Sequence, residues 1–438
     1  MKTFASILAL AAVTAARKKN HWAVIMAGSN TYSNYRHQSD SHHAVKIMLE
    51  NGIPRDQIIH LAYDDVASSY YNPYPGQLFN EPTEAGTPGT NVYDQTEIDY
   101  SGSQVNKTNF FNVLLGDDSN GPALKSDENS RVFVYFVDHG GAGVICTPGS
   151  SADWIYADEL NTTLKQMKTN GMFKELVFYL ETCESGSMFP NITEEDGIYA
   201  LTASNATLSS WGAYCGSEAV VDGKNIGSCL GDLFSINWMQ DTEGHDVAVE
   251  TLSQQASTVT DLTTRSPVQQ FGASSFLDEP IGDFQGVEGG ILDWKNDWKN
   301  KIKHSAKNFY KSAVNQKKPS VDNVDSRDSD LHFWYQQTVL AKNDEARTDA
   351  EKGLHDELHS RGVYDSMFVQ FDTNDNAPEI PQDFDCLRMM VGGVEDMCGK
   401  WTSYGLKYIR KLANMCDTYT ADELSDAYAK IGQFCGSV

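Results

Sequence analysis

Cys183 and His139 are the two residues whose surroundings best suit nucleophilic chemistry. Cys183 lies in LETCESGS, between Glu181 and Glu184 and just before a Ser-Gly pair, while His139 lies in FVDHGG. A thiol becomes a competent nucleophile when a neighbouring imidazole takes its proton or lowers its pKa. The two glycines after His139 would let a substrate backbone come close and could offer N–H groups to an oxyanion. The competing reading of Cys183 is an inert buried thiol, the usual state of a free cysteine. Two flanking acids do not fit the interior of an apolar strand; they fit a strand-to-loop turn. His37, His42 and His43 make a poor metal site. His42 and His43 would be adjacent on a helix and face different sides, and no cysteine or carboxylate completes a familiar ligand spacing. No glycine-rich phosphate loop follows a strand, so no nucleotide or other cofactor is expected.

Both candidates need a rigid element to deliver them. Residues 176–180, LVFYL, and 131–137, RVFVYFV, are apolar runs that read as buried strands ending at Cys183 and His139. In open α/β sheets the carboxyl ends of strands are where ligands and chemistry collect. Upstream, residues 21–27 predict a strand, 28–40 a polar loop, 41–51 an amphipathic helix and 57–62 a second strand. That order is the βαβ unit of a parallel sheet. A long Pro-, Gly-, Asn- and Tyr-rich loop covers 70–99. Further expectations are helices over 107–115, 156–170, 232–240 and 246–258, and a strand over 197–203. Past residue 280 the pattern weakens. Residues 291–314 carry a helical apolar stripe opposite lysines, 317–330 read as a polar linker, and 331–335 as a short strand. From about residue 343 the composition turns charged and helix-forming.

The chain has 438 residues, enough for two or three domains, and a formal net charge of −26. Nucleic acid and anionic membranes need a basic surface, so that charge argues against both as partners. The one basic exception is residues 295–318, with eight lysines against Asp297 alone. Residues 1–16 have the parts of a secretory signal: Lys2, a short apolar run, then small residues. No later stretch reaches the roughly 18 apolar residues of a membrane span. Sequons at Asn106, Asn161, Asn191 and Asn205 agree with passage through the secretory pathway. In an oxidising compartment the clustered cysteines, Cys386, Cys398, Cys416 and Cys435, should pair, and Cys215 and Cys229 flank one loop. Cys146 reads as an inert strand-end thiol.

Several stretches together resemble one family: AGSNTYSNYRHQSD (27–40), NGIP (51–54), YDD (63–65), FVDHGG (136–141), FYLETCESGSMF (178–189), SSWGAYC (209–215), CLGDLFSINWM (229–239) and SRDSDLHFWYQQ (326–337). The chain is similar to legumain, the asparaginyl endopeptidase or vacuolar processing enzyme family of caspase-like cysteine proteases. The resemblance implies a caspase-like, mostly parallel central sheet flanked by helices in residues 17–343. An all-α inhibitory prodomain would follow in 344–438. Carried over residue by residue, Cys183 is the nucleophile, His139 its partner and Asn34 the residue that orients the histidine. Backbone groups at Gly140 and Cys183 form the oxyanion hole. Arg36, His37, Glu181, Ser210 and Asp232 line the pocket for a substrate asparagine.

The same resemblance pairs Cys386 with Cys416 and Cys398 with Cys435, and Cys215 with Cys229 as in plant-type members. It places self-cleavage after Asn343, with Asn315 and Asn323 as alternatives. The implied partners are proteins and peptides with an accessible asparagine, the chain's own prodomain, and cystatin-like inhibitors. The implied compartment is a lysosome, a vacuole or a digestive extracellular space.

The pocket set is chemically coherent. A side-chain amide offers one carbonyl acceptor and an NH₂ with two donors, so a pocket for it needs a donor such as Arg36 facing acceptors such as Glu181 and Asp232. Aspartate would fit only when protonated, hence in acid. Residues 344–438 carry 18 acids and 9 basic residues, a net −9, so prodomain contacts built on ionised carboxylates would weaken as pH falls. Competing readings are a peptide ligase on the same acyl-enzyme, the related membrane-anchored transamidase, whose anchor is not seen, and a silent secreted binding protein. The silent reading sits badly with the presence of Cys183, His139, Asn34 and the charged pocket together.

Overall fold

The computed structural model describes residues 21–83, 86–287, 320–371 and 377–437. The expected signal at 1–16, the lysine-rich stretch at 291–314 and Asn315 lie outside those residues.

The apolar runs form a six-stranded sheet. Its strands are β1 (His21–Ala27), β2 (Ile58–Leu61), β3 (Arg131–Val137), β4 (Glu175–Glu181), β5 (Ile198–Thr202) and β6 (Gln269–Gly272), in spatial order β6-β5-β4-β3-β1-β2. Only β6 runs antiparallel to its neighbour. The period-2 alternation divides each strand between two cores. Val132, Val134 and Phe136 of β3 pack under α2 (Lys107–Leu115) and α3 (Ala157–Thr169). Phe133, Tyr135 and Val137 face α1 (Tyr35–Glu50), α4 (Leu233–Gly244) and α5 (Leu252–Leu262). Each fully buried side chain of this size contributes about 1.5–3 kcal/mol, so both middle strands are clamped from two sides. In register, Val137 of β3 pairs with Glu181 of β4 and Ala27 of β1. Three strands therefore release their chains side by side.

Two expectations are corrected. Residues 28–40 are not a loop throughout: a 3₁₀ turn at Tyr32–Asn34 leads into α1, which begins at Tyr35. Residues 35–40 are buried but polar, so the first turns of α1 carry no apolar periodicity to read. Likewise residues 331–335 are not a strand. They lie within helix α6 (Ser329–Leu340). The aromatic run LHFWY suggested a strand by propensity, yet the contacts follow a helical spacing. Ser329 donates to Ser326 O, Phe333 packs on Tyr32 and Tyr71, and Gln337 donates to Gly227 O. Positions 329, 333 and 337 share one helix face.

The segment expected as a linker, 317–330, is also part of the fold from residue 320 onward. Val324–Asp325 forms a short strand against Trp211–Ala213.

Beyond Asn343, which caps α7 (Asp344–Phe368) by accepting from Ala346 N at 2.8 Å, come α8 (Phe384–Cys398), α9 (Ile409–Thr418) and α10 (Ala421–Cys435). Their core includes Leu387, Val391, Leu412 and Ile431, and it extends onto Val144 and Tyr156 of the loops after His139. Disulfides join Cys386–Cys416, Cys398–Cys435 and Cys215–Cys229. Cys146 and Cys183 are free and buried.

Candidate active site

The ends of β3 and β4 place His139 and Cys183 on neighbouring chains. Asp138 N donates to Glu181 O at 3.1 Å, which continues the ladder one step past the strands. Gly140 has no room for a side chain, because a Cβ there would lie 2.7 Å from Cys183 O. The two loops therefore run against each other backbone to backbone.

His139 Nε2 lies 2.7 Å from Asn34 Oδ1. An amide oxygen can only accept, so Nε2 carries the hydrogen and Nδ1 keeps its lone pair. Asn34 is itself fixed by donating to Asn30 O at 2.9 Å. Nδ1 has no hydrogen-bond partner. Burial, then the charges of Arg36 and Arg327, hold the imidazole well below its usual pKa. It is a neutral base.

Cys183 Sγ accepts from Ser210 N at 3.4 Å and lies 3.8 Å from Ser210 Oγ, which in turn contacts Ser326 Oγ at 3.1 Å. Burial raises the thiol's pKa against the pull of Arg327. Among the described residues no hydrogen bond joins Sγ to His139. The thiol is held protonated and in contact with Ser210.

The residues expected to line a specificity pocket gather around Glu181 and Asp232. Arg36, fully buried in the first turn of α1, donates from Nε to Asp232 Oδ1 at 2.9 Å. Glu181 Oε2 accepts from Ser235 N and Ser235 Oγ, both at 3.0 Å. His37 Nδ1 lies 2.6 Å from Ser29 Oγ, and its Nε2 is 3.6 Å from Asp232 Oδ2. Three buried polar atoms are left without partners: Arg36 Nη2, Glu181 Oε1 and Asp232 Oδ2. Native interiors rarely leave such groups unsatisfied, so three of them on residues expected in one pocket call for an explanation. One donor facing two acceptors is the complement of a carboxamide.

Asp138 adds a third carboxyl whose oxygens also lack hydrogen-bond partners; burial lifts its pKa to about 8. Donor atoms of His37, Asp138 and His139 lie within 4.8 Å of one another, a spacing that could hold an ion. The site does not need one to account for them, since His139 Nε2 is committed to Asn34 and His37 Nδ1 to Ser29.

The site is covered. Ser403, between α8 and α9, places Oγ 3.2 Å from His139 Nε2 and donates to Asp330 Oδ2 at 2.7 Å. Arg327 Nη1 donates to Ser403 O at 3.3 Å. Glu184, in a left-handed conformation directly after Cys183 (φ 52°), is bound by Arg327 Nη2 at 3.2 Å and Arg410 Nη2 at 2.9 Å. Sequence reading singled out none of Asp138, Ser326, Arg327, Glu184, Ser403 or Arg410 as site residues. Glu184, next to Cys183, and Asp138, next to His139, carry a positional signal, and Ser326 and Arg327 open one of the family-like stretches.

Of the four sequons, Asn161 is a correction. It is buried, and its Nδ2 donates to Ala157 O at 2.5 Å and Met188 O at 2.7 Å, so the folded chain has no room for a glycan there. Asn191 is exposed, and Asn106 and Asn205 are partly so. The expected cleavage point, Asn343, is exposed in the short connection between α6 and α7. Asn323 is half-buried beside the strand over the site.

Comparison with known proteins gives two family matches: the Peptidase C13 family over residues 21–287 and the legumain prodomain over residues 366–432. The chain is 35% identical over 446 residues to a vacuolar-processing enzyme of Vicia sativa, covering 95% of this chain and 86% of that one. It is also 35% identical over 432 residues to the vacuolar-processing enzyme beta-isozyme of Arabidopsis thaliana, covering 92% and 84%. Among solved structures, caspase-1 from Spodoptera frugiperda aligns over 63% of this chain and 93% of its own, with a TM-score of 0.37 and 8% identity. A likeness at that level bears on neither site nor activity.

Proposed function

The chain belongs to the peptidase C13, or legumain, family of cysteine endopeptidases and carries a legumain prodomain, and from that premise we propose that it is an asparaginyl endopeptidase made as a zymogen. The observation that carries the specificity is the trio of unpartnered atoms. Arg36 Nη2 would donate to the substrate amide oxygen, and Glu181 Oε1 and Asp232 Oδ2 would accept its two N–H groups. A side chain without the amide would leave those buried groups unpaired, which is how such pockets discriminate.

The chemistry follows from the same strand end. With the cover removed, the Cys183 thiol passes its proton to His139 Nδ1 and Sγ attacks the carbonyl carbon of the asparagine. The oxyanion is met by backbone N–H groups at Gly140 and Cys183. Collapse of the tetrahedral species breaks the peptide bond, and the leaving amine takes the proton from His139. Water, deprotonated by His139, then hydrolyses the thioester. An amine in place of water would give ligation from the same intermediate. Asn34 keeps Nδ1 available throughout by holding the proton on Nε2.

Self-cleavage after Asn343 would leave α6, Ser326 and Arg327 with the catalytic unit; cleavage after Asn323 would strip them from beneath Cys183. That favours Asn343 as the maturation point. Likeness to vacuolar-processing enzymes supports the secretory pathway and a vacuole-type compartment as its place of action.

Peptides differing only at the residue before the cut, Asn, Asp, Gln or Ala, test this on acid-matured protein, with product masses read for hydrolysis against ligation. Asparagine should be preferred at pH 6, and aspartate accepted only toward pH 4–5. Cys183→Ala should be inert. Equal cleavage after asparagine and alanine would overturn the specificity.

A further inference from the structure

The pocket holds another carboxylate that the reading above leaves unused. Asp40 lies on α1 four residues beyond Arg36, on the same helix face. It is wholly buried. Its Oδ2 accepts the backbone N–H of Asp232 at 3.0 Å, and its Oδ1 accepts from Asn80 Nδ2 at 2.6 Å. The approach is so close that residue 231 can carry no side chain: a Cβ on Gly231 would lie 2.7 Å from Asp40 Oδ1 and 2.8 Å from Asn80 Nδ2. Asn80 is held in turn by donating to Leu230 O at 3.0 Å and by His43 Nδ1, 2.7 Å from its Oδ1. Asp40 therefore grips the backbone of the residue whose side chain anchors Arg36.

Asp40, Glu181 and Asp232 surround a single buried cation, Arg36, so full ionisation would leave these four groups at a net −2. His37, 3.6 Å from Asp232, Asp138, Tyr135 from β3 and His43 from α1 are the other titratable groups nearby. Burial, then Asp232, pushes the Asp40 carboxyl well above its ordinary value, while Asn80 and the Asp232 N–H pull it back. What Asp40 supplies in either protonation state is its grip on the Asp232 backbone.

Resting on the asparaginyl reading, we propose that Asp40 is a positioning residue of the specificity pocket: by accepting the Asp232 N–H it holds Asp232, and through it Arg36, where both can meet a substrate carboxamide.

Asp40→Ala removes the acceptor of the Asp232 N–H. On acid-matured enzyme, KM for asparagine peptides should rise about tenfold while kcat changes less than about threefold, because loosening Asp232 and Arg36 weakens binding of the side chain and leaves Cys183 and His139 in place. Asn80→Ala is the second variant. It takes away a donor that holds Asp40 and leaves Arg36, Glu181 and Asp232 in place, so KM should rise in the same direction by a smaller factor even if Asp40→Ala does not fold. An unchanged KM in the variants that mature overturns the proposal, as does a loss confined to kcat. A wild type with no preference for asparagine overturns the underlying reading, which is a different result.

Discussion

Glu181 and Glu184 leave the same strand end on either side of Cys183, and both are buried, yet their surroundings are opposite. Glu184 has a guanidinium on each oxygen, Arg327 on Oε1 and Arg410 on Oε2. Glu181 has two donors on Oε2, both from Ser235, and nothing on Oε1. A buried charge is retained when it is paired or when something is meant to pair it. Glu184 is already satisfied, and one of its partners comes from the prodomain. Glu181 keeps one oxygen free of any hydrogen bond. On the proposed reading, the difference separates recognition of substrate from retention of the cover, two residues and one residue away from the same sulfur.

The most damaging test of that division is Glu181→Gln against Glu184→Gln in acid-matured enzyme. A glutamine at 181 can still accept from Ser235, but its NH₂ then faces the substrate's NH₂. Leaving a buried donor unpaired costs about 1–3 kcal/mol, so kcat/KM on asparagine peptides should fall by about tenfold to a hundredfold. Glu184→Gln should cost less than about threefold once the prodomain is gone. Comparable losses in the two variants would erase the distinction.

The complementary change acts on the cover. Arg410→Ala leaves Glu184 with Arg327 alone and removes the tie from α9. Glu184 Oε2 would then stay buried without a donor, which costs about 1–3 kcal/mol. Labelling of Cys183 by a thiol reagent in the intact zymogen at pH 7 should speed up by about tenfold or more. Glu181→Gln should leave that labelling rate unchanged. A zymogen as well sealed as wild type would show that Arg410 contributes nothing to closure.

How much of this was legible before the coordinates follows the same line between apolar and polar burial. The strand over 21–27 and the helix over 107–115 match to the residue. Apolar runs and caps are local signals, so β3 and β4 could be found, along with the two residues at their ends. Adjacency of those ends follows from parallel pairing. The first turns of α1 were missed because Arg36, His37 and Asp40 are buried for their polarity, which leaves no periodic trace. Ser326, Arg327, Ser403 and Arg410 reach Cys183 and its neighbours from well over a hundred residues away in sequence. Ser326 and Arg327 open a stretch that resembles the family, but nothing in the segments of Ser403 and Arg410 announces it. Residues 331–335 misled in the other direction: their aromatic strand propensity lost to tertiary packing spaced every four residues.

The smallest expected effect sharpens the charge argument for acid activation. A net −9 in residues 344–438 suggested that protonating carboxylates loosens the cover, but the sign depends on which carboxylate. Burial raises the pKa of Glu184 despite both arginines. A raised carboxyl is relieved, not weakened, as pH falls, so Glu184 works against acid release. Asp365 on α7 has the required sign. Its carboxylate accepts from Tyr404 Oη at 2.8 Å and Tyr408 Oη at 2.5 Å and pairs with Lys407 at 3.3 Å, just after Ser403. Although burial acts in the other direction, these contacts together leave its pKa below the ordinary 3.8.

The stability Asp365 contributes is therefore fully present above that value and is lost as pH falls through the depressed one. Half-exposed as it is, Asp365 should contribute modestly. Asp365→Asn should speed Cys183 labelling about two- to fivefold at pH 5–7, where wild-type Asp365 is still charged, and the gap between the two proteins should close below about pH 3.5. A gap that persists unchanged at pH 3 would mean that Asp365 holds the plug by shape and not by charge.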